Sequence, residues 1–190
     1  GGRVNVCALT CEELAREMKV RWGKGMYHAA ALYREVFKKG SLFLANAPEF
    51  ASSPDLTRRI EDALHLPSCR IVVQKQDDEA LKFVTSMADG SLVESVLIPS
   101  PNRTTLCVSS QVGCRMGCRF CTTGSMGFVR HLEVEEIVWQ VYAARFELQR
   151  PVHNIVFMGM GEPLDNLDNV VQAIRVLSDQ RGFDIPPRRI

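Results

Sequence analysis

Residues 113 to 121 read GCRMGCRFC and put three cysteines, Cys114, Cys118 and Cys121, at the spacing C-x3-C-x2-C. Four more are scattered at Cys7, Cys11, Cys69 and Cys107. An odd count, unevenly spread and without a secretory signal, argues against a disulfide scaffold; in a reducing compartment such a cluster reads as metal-binding or catalytic. Two groups suit it. Structural zinc wants four closed ligands, and Cys107 or His131 is available as the fourth. Iron–sulfur clusters are held by close runs of thiolates, and three ligands to a four-iron cube leave one iron open. The spacing alone does not choose between them.

The sequence on both sides places the cysteines. TLCVSS, just upstream, is rich in β-branched residues and reads as a strand. Downstream, Ile137, Val138, Val141, Tyr142 and Arg145 recur at helical spacing, so a helix is expected from Val134 to about Leu148. NIVFM at 154–158 reads as a short apolar strand of the buried parallel type. GMGEP follows, and then Leu167, Val170, Val171, Ile174 and Leu177 mark another amphipathic helix. Strand, cysteine loop, helix, strand, GMGEP loop, helix is two consecutive βα units, an α/β arrangement. Chemistry on such units sits on the loops that follow the strands, so both unusual loops are expected to face one cleft.

Further upstream the chain changes character near Pro67. LKFVTSM and LVESVLI flank the turn ADG at 88–90 and are expected to pair antiparallel, with CRIVVQ as a further strand. Before Pro67 the pattern is helical. Thr10 and Glu13 form a capping-box signature ahead of LAREMKVRW. A second helix covers MYHAAALYREVFKKG and stops at Gly40, and a third, DLTRRIEDALHL, is ended by Pro67. The expected division is a helical accessory domain at 1–66, a β-rich extension at 67–103 and an α/β part at 104–190. Cys7 and Cys11, at i,i+4 on a helix start, read as structural.

Bulk properties fit a soluble globular chain: 190 residues, 46% hydrophobic and 24% charged, with no apolar run approaching the length of a membrane helix. A net charge of +1 predicts no general attraction to nucleic acid, so RNA binding would need local patches. Arg103, Arg115, Arg119 and Arg130 surround the cysteine loop and are candidate phosphate contacts, against the commoner reading as solvated surface. The four histidines show no metal-site spacing. The chain lacks an initial Met, consistent with a start inside a longer protein.

The C-x3-C-x2-C run after a strand resembles the radical S-adenosylmethionine (radical SAM) superfamily. The wider stretches LVESVLIP, RTTLCVSSQVGCRMGCRFCTTGSMGFVRHL and NIVFMGMGEPLDNLDNVVQAI resemble the RlmN/Cfr family of RNA methyltransferases, from about residue 80 to 190. The resemblance implies the start of a partial (β/α) barrel, preceded by a short antiparallel β segment and a small N-terminal helical domain. It implies a 4Fe–4S cluster whose open iron chelates SAM, and cleavage of SAM to a 5′-deoxyadenosyl radical. The substrate implied is an adenine ring carbon, carbon 2 ahead of carbon 8, in ribosomal RNA and also in transfer RNA. The expected setting is the cytoplasm, without membrane, as a monomer at full length, served by an electron donor such as flavodoxin.

Carried over residue by residue, Cys114, Cys118 and Cys121 match the cluster ligands, and Phe120 an aromatic that shields the cluster. Gly161 and Glu162 match the SAM contact. Glycine permits close backbone approach and a carboxylate suits an ammonium group; read alone, GMGEP is a plain strand-to-helix turn. Glu94 matches the family's proposed general base, which beside an apolar cleft would have its pKa raised; read alone it is a solvated strand residue. Met158 matches an active-site methionine; read alone it is a core residue ending a buried strand. Cys107 matches a cysteine close to the methyl-carrying one, or else is an ordinary strand cysteine. The family uses two SAM molecules and a methyl-carrying cysteine near the C-terminus. No cysteine follows Cys121 here, so a fragment, inactive alone, is expected. The alternatives are a radical SAM enzyme acting on a protein or small molecule, and a non-catalytic zinc module using Cys107, Cys114, Cys118 and Cys121.

Overall fold

The computed structural model describes residues 2–114, 116 and 127–190. Cys118, Phe120, Cys121, Arg115 and Arg119 lie outside the described residues.

The N-terminal third is helical because its apolar residues recur at helical period between strong end signals. Helix α1 (Cys11–Trp22) starts at the Thr10–Glu13 capping box and stops at Gly23, in the left-handed conformation. Helix α2 (Met26–Lys39) stops the same way at Gly40. Helix α3 (Pro54–Ala63) is shorter than expected. Leu64 and His65 leave it to form strand β2 (Leu64–His65), which pairs in parallel with β1 (Val4–Asn5). Cys7 belongs to a separate 3₁₀ turn, Val6–Ala8, rather than to α1, and both it and Cys11 are fully buried.

Strands β3 (Arg70–Asp77), β4 (Ala80–Ser86), β5 (Leu92–Ser100) and β6 (Arg103–Cys107) run antiparallel in sequence order. The ADG turn joins β4 to β5 as expected, with Gly90 at φ 83°. Strand β9 (Asn154–Val156) then pairs in parallel with β6, giving the five-stranded order β3-β4-β5-β6-β9. Parallel neighbours need a crossover. It is supplied by helix α4 (Val134–Tyr142), which widens into a π-helical turn over Ala143–Glu147 instead of running regularly to Leu148. Helix α5 (Leu167–Ser178) follows β9, completing the second βα unit.

Strand alternation sorts the sheet into two faces. Phe83, Val93, Ser95, Leu97, Leu106 and Ile155 are buried on one face, which α4 covers. Helix α4 is buried on nearly all sides, since its outer side meets the N-terminal turn at Val6–Ala8 and its Tyr142 hydroxyl donates to the Gly40 carbonyl. The opposite face carries Lys82, Val96, Cys107 and Val156 as one cross-strand row, none of them fully buried. Glu94, two residues from Val96, stands on this same open face.

A second, short antiparallel pair was not foreseen. Strands β7 (Gln111–Gly113) and β8 (Phe128–His131) form a two-stranded ribbon whose tip is the cysteine loop.

Candidate active site

The ribbon fixes where the cysteine loop emerges. The Cys114 amide donates to the Gly127 carbonyl at 3.1 Å, closing the loop at its neck. Gly113 has φ +71°, and a Cβ there would run into the carbonyl oxygen of Gly127. Only glycine allows the two strands to approach so closely. Cys114 is buried, in no disulfide, and sits at the mouth of this neck.

The GMGEP loop is fastened to the same place by a run of buried polar groups. Ser109, Ser110 and Gln111 leave the end of β6 with at most 1% exposure. The Ser110 and Gln111 amides both donate to the Met160 carbonyl. The Met160 amide donates to Ser109 Oγ at 2.8 Å, and that hydroxyl donates to the Glu94 carbonyl at 2.6 Å. The Gln111 amide orientation is set by its partners. Its Oε1 accepts from the Glu162 amide at 3.0 Å, while its Nε2 faces Asp165 Oδ2 at 3.1 Å and His131 Nδ1 at 3.0 Å. Gly161 has φ +99° and packs on Gln111; a Cβ there would lie 2.5 Å from that side chain. The Glu162 carboxylate accepts from the Leu164 amide and opens the 3₁₀ turn Pro163–Asn166. Asn166 and Asn169 tie the start of α5 to the Leu132 carbonyl beyond β8, and Asn166 also donates to the Ser110 carbonyl.

Below these loops, Gln140 of α4 joins the layers. Its Oε1 accepts from Ser95 Oγ and the Ser109 amide, both at 2.8 Å, and its Nε2 donates to the Ser109 carbonyl. Every polar atom of this glutamine is engaged at 0% exposure, which rigidifies the junction instead of penalising it. None of Ser109, Gln111, Gln140 or Asn166 was singled out in the sequence. The available signal was SSQ, three polar residues at the end of a strand where an apolar continuation would be ordinary.

The sequence candidates fall as follows. Gly161 and Glu162 are held by Gln111 after the end of β9, and Cys114 lies three residues beyond Gln111 at the ribbon neck. Cys107 is half-buried on the open face between Val96 and Val156, and burial raises its thiol pKa. Glu94 is on that face, with Lys82 Nζ at 3.6 Å and its side chain 49% exposed, so polar company and solvent stand where an apolar cleft was expected. Met158 is 81% exposed, which overturns its reading as a core methionine. Arg130 is neither a solvated surface residue nor open to a phosphate: two of its nitrogens pair with Glu136 at 2.8 Å and its Nε with Asp89 at 2.8 Å. His131 directs Nδ1 to Gln111 and stacks edge-on to Phe128, which weakens it as a zinc ligand.

This arrangement matches known proteins closely. Residues 108–188 match the family model of the Radical SAM superfamily. A probable dual-specificity RNA methyltransferase RlmN 1 from Protochlamydia amoebophila is 40% identical over 98% of this chain and 52% of its own length. Dual-specificity RNA methyltransferase RlmN from Geotalea uraniireducens is likewise 40% identical, over 99% of this chain and 54% of its own length. The crystal structure of a radical SAM methyltransferase from Sphaerobacter thermophilus superposes with a TM-score of 0.84 at 34% identity, covering 98% of this chain and 55% of that one. The chain thus carries a match to the radical SAM superfamily over residues 108–188 and is similar over nearly its whole length to RlmN-type proteins. It spans about half the length of the curated relatives it matches.

Radical SAM proteins in general hold a 4Fe–4S cluster and SAM. The described residues fit such groups: a thiol free of any disulfide at the loop neck, and a glycine–carboxylate loop held three residues from it in sequence by Gln111. No chain of three or more His, Cys, Asp or Glu side chains forms a metal site among the described residues, two of the three expected ligands lying outside them.

Proposed function

We propose that the protein carrying this chain is a radical SAM methyltransferase that methylates an adenine ring carbon, carbon 2, in ribosomal RNA and in transfer RNA. The observation that carries this reading is the fastening of the GMGEP loop to the neck of the cysteine loop through Gln111, at the ends of two parallel strands. The extensive identity to RlmN relatives supports it.

Cys114, Cys118 and Cys121 hold the cluster in this reading, and Gly161 and Glu162 receive SAM. When bound, these groups supply the one-electron chemistry that methylation of an unactivated aromatic carbon requires. The chain's own residues do the rest. The missing side chain of Gly161 lets its backbone close on Gln111, which holds the loop in place, and the Glu162 carboxylate offers an acceptor to an ammonium group. Glu94, on the open sheet face, takes the proton from the methylated carbon, with Lys82 as its counter-charge. Met158, exposed at the end of β9, lies against the substrate region, and Cys107 lines the same face. Residues 1–66 act as a helical accessory domain, 67–103 as a β extension and 104–190 as part of the barrel. Cytoplasmic location, a monomeric state and a flavodoxin-type electron donor complete the proposal.

The test is anaerobic turnover of the full-length protein with SAM, reductant and RNA fragments, followed by nucleoside mass spectrometry. 2-Methyladenosine is expected from both RNA types. 8-Methyladenosine would overturn the carbon assignment, and methylated protein without methylated RNA would favour the alternative substrate class. Glu94→Gln should lower product formation by at least about 100-fold with iron content unchanged.

A further inference from the structure

The residue the geometry singles out is Gln111. It stands beside both loops: it is the first residue of β7, three before Cys114, and its side chain meets the GMGEP loop at two points and the turn after it at a third. Its Oε1 satisfies the Glu162 amide, its Nε2 reaches Asp165 in the turn that follows, and its aliphatic stem fills the space against Gly161 that a Cβ would need. It is fully buried, so each bond is made out of competition with water. His131, its remaining partner, sits on β8, the other strand of the loop neck.

We propose that Gln111 is a positioning residue that sets the SAM-binding loop in register with the cysteine loop, so that removing its amide weakens SAM binding while leaving the cluster in place. This rests on the radical SAM reading above. The reason is geometric. At its tip the ribbon is closed by Gly113 and by the Cys114–Gly127 bond, and the Gln111 side chain touches β8 only at the far end, through His131. The Glu162 amide, in contrast, has Gln111 Oε1 as its partner, and losing that partner leaves a part-buried donor unsatisfied unless the loop shifts toward another acceptor. Glu162 is the residue assigned to the SAM ammonium, so any shift is felt at the ligand.

The experiment compares full-length wild type with Gln111→Met, Asp165→Ala and Asp165→Asn, all reconstituted anaerobically. Iron per chain, SAM dissociation constant by equilibrium dialysis and thermal midpoint are measured on each. Gln111→Met should keep its iron and lose about tenfold in SAM affinity. Asp165→Ala, a less buried change that spares folding, should lose about threefold, and Asp165→Asn, which can still accept from Gln111, should recover most of that. SAM affinity within twofold of wild type in both Gln111→Met and Asp165→Ala would overturn the proposal. So would iron and SAM affinity falling together, the mark of a merely structural role. If Gln111→Met does not fold, the Asp165 pair decides. Wild type that holds iron but binds no SAM overturns the underlying radical SAM reading, and the proposal with it.

Discussion

Arg130 illustrates how burial and pairing decide what a single charged side chain can do. Its guanidinium forms a bidentate pair with Glu136, whose side chain is only 9% exposed, and the Glu136 hydrogen bonds raise its pKa above the ordinary arginine value. Removing one partner of such a pair leaves a poorly solvated carboxylate behind. Arg130→Ala should therefore cost about 2 kcal/mol in urea unfolding, the figure reduced because the arginine is partly exposed. A change below about 0.5 kcal/mol would show the pair to be dispensable. Nothing in the sequence distinguished Arg130 from Arg103, since ion pairing across 41 residues to Asp89 is set by the tertiary fold. Cys114 and Glu162 stood out in the sequence, the first by the C-x3-C-x2-C motif, which leaves zinc and a cluster both open, and the second only through the family resemblance. Gln111, Ser109 and Gln140 did not, because a buried polar residue looks in sequence like an exposed one until its partners are known.

At the scale of elements, local signals worked best where each end of a segment carried its own chemistry. Helices α1 and α2 begin and end as the capping box and the two glycines dictate. The end of α3 was misjudged because LHL continues the helical pattern, yet pairing of β2 with β1 wins it for a strand. The β7–β8 ribbon escaped notice since three- and four-residue strands leave no periodicity to read. The α1 cap also docks the helix: Glu13 accepts from Thr10 and from Gln172 on α5. Burial pushes the Glu13 carboxyl up, but hydrogen bonds from Gln172 and Thr10 together hold it below its ordinary value. A carboxyl depressed in the folded state adds stability above its unfolded pKa, near 4.3, which is lost as pH falls through the folded value. Wild type should exceed Glu13→Gln by about 0.5–1 kcal/mol at pH 7, and the gap should be smaller at about pH 3, below the unfolded value. A gap unchanged between the two pH values would contradict this assignment. Thr10→Ala should cost about 1 kcal/mol at pH 7 by unfolding titration.

For the whole molecule, the sheet has one face built into the core and one left open. The covered face joins the core that runs from the N-terminal helices through α4 to α5, and most of the cysteines outside the cluster motif belong to it. Burial raises the Cys11 thiol to about 11 and Cys69 to about 12, and Cys7 further still. Thiolates are the reactive form, so native protein at pH 8 should leave these three unalkylated by iodoacetamide while unfolded protein loses all of them, as peptide mass mapping would show. Rapid native alkylation of Cys7 would mean that the core opens. The open face carries Glu94, Cys107 and Lys82, and no helix among the described residues is long and apolar enough to cross a membrane. The two βα units and the placement of both loops were readable because helical and strand periods alternate so plainly after Thr104. The joining of β3–β6 and β9 into one sheet was not, since strand order depends on long-range pairing.

In the function proposed above, the cysteine loop and the GMGEP loop build one site for a cluster and SAM. Its most direct test is iron counting and EPR of the reduced, anaerobically reconstituted full-length protein, with and without SAM. About four irons per chain are expected, as a cubane held by three cysteines requires, with an EPR signal that changes on adding SAM. Tightly bound zinc with no cluster, or a four-iron signal indifferent to SAM, would contradict it.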